Sequence, residues 1–157
     1  MPFAKGSTHF RKNMRVLSIV LTLSASFIVP AFAAEDQGGC VSNFSVSGSF
    51  FTGKQYKTSV VLPEVSSQTA FKKAYASIVK KGYQITQSDK DIGVISASQQ
   101  VTGSKGGKTA PLNVLVESDS GAGSKIDFSF STAGGLMAPE DAVRDEFCKI
   151  TSEILSK

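Results

Sequence analysis

The hydrophobic and polar positions of this chain change period several times, and each change marks an element. Phe71, Ala74, Tyr75 and Ile78 fall at i, i+3, i+4 and i+7, which puts them on one face of a helix. Lys72, Lys73, Ser77, Lys80 and Lys81 occupy the remaining surface. Ser66 or Ser67 is the expected N-cap, because a hydroxyl there accepts from an otherwise orphaned first-turn N–H. Gly82 is the expected stop, since glycine reaches the left-handed cap conformation without steric cost, and Lys80 and Lys81 suit the negative end of the helix dipole. The period then falls to two. Tyr83 and Ile85 alternate with Gln84 and Thr86, residues 88–91 form a turn, and Ile92-Gly93-Val94-Ile95 resumes a strand.

The flanking segments repeat the alternation. Phe44, Val46, Gly48 and Phe50 alternate with Asn43, Ser45, Ser47 and Ser49, which reads as a half-buried strand with a hydroxyl-rich outer face. Tyr56, Thr58, Val60 and Leu62 form the next strand, ending at Pro63. Beyond the central unit come strands with Leu112, Val114 and Val116, then Ile126, Phe128, Phe130 and Thr132, joined by the glycine-rich turn 118–124. Pro139, Glu140 and Asp141 suit the start of a last helix, whose buried stripe is Val143, Phe147, Ile150 and Ile154. The order β-β-α-β-β-β-β-α predicts an α+β domain, an antiparallel meander sheet with two helices packed on one face.

The central pattern of Gly82-Tyr83, Ile85, Asp89 and Gly93-Val94-Ile95 resembles the helix-grip domains of bacterial envelope lipoproteins, the BamC-like subunits of the barrel-assembly machinery. The likeness spans residues 66–155. It implies a helix-grip fold and a place in the cell envelope.

The opening of the chain changes what composition says. Lys5, Arg11, Lys12 and Arg15 precede an apolar run over 16–29 and then Pro30-Ala31-Phe32-Ala33, the pattern of a secretory signal peptide with an A-x-A cleavage site. Met14 is an alternative start that gives a shorter signal. The run is too short for a stable transmembrane anchor, which needs roughly 20 apolar residues. The domain division is therefore a signal over 1–33 and one exported domain over 34–157, periplasmic or secreted. The signal holds four of the 17 basic residues and none of the 13 acidic ones, leaving 13 of each in the mature chain. That balance removes the electrostatic case for a nucleic-acid partner. His9, the only histidine, leaves with the signal, and with it the commonest general base and transition-metal ligand.

Two cysteines remain, Cys40 and Cys148, near the two ends of the mature domain. In an oxidising compartment they are expected to form a disulfide tying the first strand to the last helix. Lipidation of Cys40 is the competing reading. Gln37-Gly38-Gly39 before it is not a lipobox, which is where the chain departs from the lipoproteins it resembles.

Other motifs yield to simpler readings. The run from Gly103 to Thr109 has three residues where a P-loop needs four between its glycines, and it joins strands rather than opening a helix. Asp89, Asp91 and Asp119 sit in turns, and Glu117 and Asp127 face outward on strands, so no metal site is expected. The lysines at 72, 73, 80 and 81 read as a solvated helix face rather than a basic binding patch. Asn43-Phe44-Ser45 is a glycosylation sequon that falls in the first strand. No catalytic motif and no cofactor site are legible. The expectation is a non-enzymatic envelope domain that binds a protein partner by a sheet edge or by the uncovered sheet face. The alternative is a binder of a small apolar ligand or lipid, held between sheet and helices in a cavity lined by Phe44, Phe50, Phe128 and Phe130.

Overall fold

The computed structural model describes residues 36–101 and 107–157. The predicted export signal, the expected mature start at Ala34 and the centre of the 103–109 loop lie outside the described residues. The elements are β1 (Ser45–Ser49), β2 (Gly53–Leu62), α1 (Ser67–Lys80), β3 (Gln84–Asp89), β4 (Val94–Gln100), β5 (Thr109–Ser118), β6 (Ser124–Ser131) and α2 (Glu140–Leu155), preceded by a 3-10 turn at Gln37–Gly39. They build an α+β domain: a six-stranded antiparallel sheet with both helices on one face.

The meander is interrupted once. In the strand order β1-β2-β6-β5-β4-β3, α1 carries the chain from β2 to the far edge, and β3 to β6 return by hairpins until β6 pairs with β2. The strands facing the helices bury every second residue: Tyr56, Thr58, Val60 and Leu62 on β2, Leu112, Val114 and Val116 on β5, Ile126, Phe128 and Phe130 on β6. Val143, Phe147, Ile150 and Ile154 of α2 close over them, as its apolar stripe requires. The rings of Phe128 and Phe147 stack with centroids 5.3 Å apart, and Phe44 packs edge-on to Phe147.

Cys40 and Cys148 are joined by a disulfide that spans 108 positions of sequence. Its N-terminal anchor is the turn after Gln37–Gly39 rather than the first strand, because β1 begins only at Ser45. The Asp36 carboxylate shapes that turn by accepting from the amides of Val41 and Ser42, and the Ser42 and Val41 contacts hold its pKa below the ordinary value. Cys40 is fully buried, and its carbonyl accepts from Thr58 Oγ1 at 2.8 Å.

Two elements differ from the periodic reading. On α1 the buried residues are Ala70, Ala74, Ser77 and Ile78, so the inward stripe is rotated and Tyr75 is left 38% exposed. Small side chains let α1 approach α2 and the sheet closely, which a stripe containing Tyr75 would prevent. On β1 the alternation stops at Gly48, whose φ of 91° turns the backbone, and Phe50 emerges in the following turn instead of facing the core. Asn43 likewise precedes the strand, and its Nδ2, the sequon's acceptor atom, donates to the Ser59 carbonyl at 2.8 Å.

Candidate functional site

The centre of the space between sheet and helices is filled, and an open pocket of about 450 Å³ remains between α2 and the sheet, lined by Tyr83, Phe130, Ala138, Val143 and Phe147 among others. Of the four phenylalanines expected to line a cavity, Phe128 and Phe130 are buried in the core and Phe44 packs partly buried against it. Phe50 is not there at all; it lies in the β1–β2 turn, edge-on to Phe51 at 5.5 Å. Tyr56, the largest fully buried side chain, directs its hydroxyl to the Ala138 carbonyl at 2.7 Å.

An open groove of about 1350 Å³ lies between α1 and the far end of the sheet. One wall is α1, presenting Phe71, Lys72, Tyr75 and Ala76; the other is the β3–β4 turn with Lys90 to Gly93, and Val116 to Ser118 of β5 closes the end. Local chemistry explains both walls. Ser66 caps α1 through its hydroxyl, which accepts from the Thr69 amide, and the helix ends at Gly82 with φ 83°. In the β3–β4 turn, Asp89 Oδ1 accepts from the amides of Asp91 and Ile92, at 2.9 and 3.3 Å. Gly93 then takes φ 74° with its Cα against the Val116 carbonyl, where a Cβ would overlap that oxygen. This close approach seats the turn on β5 and pushes Ile92 out of the strand, to 62% exposure.

The four lysines of α1 do not act as one patch. Lys73 Nζ donates to the carbonyls of Ile154 and Ser156 and so caps the end of α2. Lys81 bridges to Glu146 and Glu153, at 3.4 and 3.5 Å. Glu153 is held below the ordinary carboxyl pKa, first by the facing Ser77 hydroxyl and then by Lys81, although that hydroxyl has no hydrogen bond of normal length. Lys72 and Lys80 remain outside these pairings. The acids are also occupied locally: Asp127 holds Lys125 at 2.8 Å, Asp91 holds Lys90 at 2.6 Å, and Asp89 caps its own turn. Among the described residues no three histidine, cysteine, aspartate or glutamate side chains gather in a metal-binding cluster.

The groove is not legible in the sequence because periodicity points its apolar residues inward. The pattern puts Tyr75 in the helix stripe and Ile92 in the strand, and both are exposed. The run of Ala70, Ala74 and Ser77 was the available signal, since small residues at this spacing mark the side of a helix that packs closest.

No family model matches this chain, and no curated protein matches it. Among solved structures it is similar to Ara h 8.0201, at 14% identity over 67% of this chain and 99% of that one, with a TM-score of 0.46. It is also similar to the conserved protein of unknown function EF2215 from Enterococcus faecalis, at 8% identity over 76% of this chain and 81% of that one, TM-score 0.48. Human STARD10 matches at 9% identity over 76% of each chain, with a TM-score of 0.35. At such identities and scores, none of the three bears on what this chain binds.

Proposed function

We propose that this chain is an exported, non-enzymatic binding domain that takes a protein partner in the groove between α1 and the β3–β4 turn. The observation that carries the reading is the open groove of about 1350 Å³, whose walls present Phe71, Tyr75 and Ile92, against a smaller pocket of about 450 Å³ between α2 and the sheet, beside the stacked rings of Phe128 and Phe147. Exposed aromatic and aliphatic side chains in a cleft are the usual anchors of a protein interface.

The other surfaces are less suited. Of the two sheet edges, β1 has five residues and a glycine bend, and β3 carries an irregularity between Ile85 and Gln87. Short and bulged edges resist the addition of a further strand. The uncovered sheet face mixes Ser59, Ser96, Asn113, Ser129 and Ser131 with the aliphatic Val61, Val94 and Leu115, and among the described residues it carries no aromatic anchor. The export pattern of the leading residues and the resemblance to envelope helix-grip domains fit a partner in the cell envelope.

The groove's size also favours a second reading, an apolar ligand lying along Phe71 and Tyr75 rather than inside the fold. Native mass spectrometry of the exported protein separates the two. The protein reading predicts the bare chain mass after gentle isolation. A stoichiometric adduct, lost when Tyr75→Arg closes the groove, would replace it with the ligand reading.

A further inference from the structure

The pocket between the first half of α2 and the sheet is a separate site from the groove, and its wall is mostly apolar. Phe130 comes from β6, Val143 and Phe147 from α2, and Ala138 from the loop before α2. That loop is held from both sides. The Tyr56 hydroxyl donates to the Ala138 carbonyl at 2.7 Å, and Lys54 pairs with Glu140 at 2.7 Å where α2 begins. The pocket is therefore built into the fold and does not wait for an occupant to shape it.

Tyr83 brings a phenol into this wall. Its backbone is fixed where α1 ends, its amide donating to the Ile78 carbonyl at 3.3 Å just after Gly82 turns the chain. The residue is only 9% exposed, yet among the described residues its hydroxyl has no hydrogen-bond partner, unlike that of Tyr56. Buried hydroxyls are ordinarily paired, and one left without an acceptor costs stability. Burial first, and then the Glu146 charge, pushes the phenol up to about 12, so near neutral pH it is a donor.

The charges of the wall select against an ionised occupant. Lys81 and Glu146 both line the pocket and pair with each other at 3.4 Å, and Lys81 also reaches Glu153 at 3.5 Å. The pocket thus offers no unpaired cation to hold an anion, and the Glu146 carboxylate near Tyr83 repels one. Gln99, the remaining polar residue of the wall, is uncharged and exposed.

We propose that this pocket binds a neutral, mostly apolar small molecule whose carbonyl oxygen accepts from the Tyr83 hydroxyl while its body lies against Phe130, Val143 and Phe147. The inference goes beyond the protein-partner reading and does not depend on it. A pocket of about 450 Å³ is at the small end of ligand sites, so binding is micromolar and isolation leaves the pocket empty.

NMR titration of the mature, oxidised protein with labelled alanine methyls tests this with three probes. 2-Acetylnaphthalene is neutral and carries a carbonyl, 2-isopropylnaphthalene has a similar shape without an acceptor, and 2-naphthoate adds a negative charge. The ketone should shift the methyls of Ala138 and Ala142 saturably and leave that of Ala76, in the groove, unmoved. Naphthoate should bind more weakly than the ketone. Tyr83→Phe keeps the ring and removes the donor, so the ketone should bind about two- to tenfold more weakly while the hydrocarbon is unaffected. Ala142→Trp, at an exposed position of the rim, should abolish binding of both with the melting curve unchanged. No saturable shift from the ketone, or shifts at Ala76 alone, overturns the pocket. A ketone held equally by the wild type and Tyr83→Phe, equal losses for ketone and hydrocarbon, or naphthoate binding best overturns the assigned chemistry.

Discussion

Breaking the Cys40–Cys148 bond tests how the domain is held, and its magnitude follows from the topology. The bond closes a loop of 108 positions, from the turn before β1 to the middle of α2. Chain-entropy arguments give roughly 4–5 kcal/mol for a loop of that length, mostly by restricting the unfolded chain. A domain of this size has a total stability of only about 5–15 kcal/mol, so the bond is a large share of it. Replacing both cysteines with alanine also leaves the buried Cys40 site slightly underfilled, and the Thr58 hydroxyl keeps its acceptor because it uses the backbone carbonyl. The variant should therefore lose the loop term plus a small packing cost. Urea unfolding of the oxidised protein, the reduced protein and the Cys40→Ala/Cys148→Ala variant measures it. With a slope of about 1–3 kcal/mol per molar urea, the two unbridged forms should unfold at a midpoint lower by roughly 1.3–5 M. Midpoints agreeing within a few tenths molar would refute the reasoning, since the bond would then restrict nothing the fold does not already restrict.

Three further outcomes are expected. Gly93→Ala, at φ 74° with its new methyl on the Val116 carbonyl, should cost at least about 2 kcal/mol in thermal melts, whereas Gly121→Ala, at φ 85° in open space, should cost about 1 kcal/mol. Tyr83 is pushed up to about 12, first by burial and then by Glu146, so the folded state keeps a phenol proton that the unfolded chain releases near pH 10. That contribution is complete below pH 10 and is lost as pH rises towards 12; Tyr83→Phe should flatten the stability profile in this window, as followed by urea midpoints at stepped pH. Terminal sequencing of the exported protein should find a mature chain beginning near Ala34; a retained 16–29 segment would contradict export by cleavage.

The sheet was legible because most strands keep a strict two-residue alternation, and β2, β5 and β6 show it as uninterrupted burial on one side. The last helix was legible for the same reason, its stripe being large and apolar throughout. The order of strands was not, since a hairpin pattern says nothing of which edge β6 will meet, and β2–β6 pairing is set by where α1 lets the chain down. The candidate site was hidden by two local effects. Glycine at positive φ ends the alternation at Gly48 and Gly93, releasing Phe50 and Ile92 to the surface. Alanine weighs little in a hydrophobic pattern, yet Ala70 and Ala74 decide which side of α1 can approach the sheet.

The most direct test of the account is a crosslinking map made in the exporting cell. A photoreactive phenylalanine analogue is placed at Tyr75, at Ile92 and, as a control on the uncovered sheet face, at Ser129. The groove reading predicts discrete protein adducts from the first two positions and none from the third. Adducts from Ser129 with none from Tyr75 or Ile92 would contradict it and move the binding surface to the opposite face of the sheet.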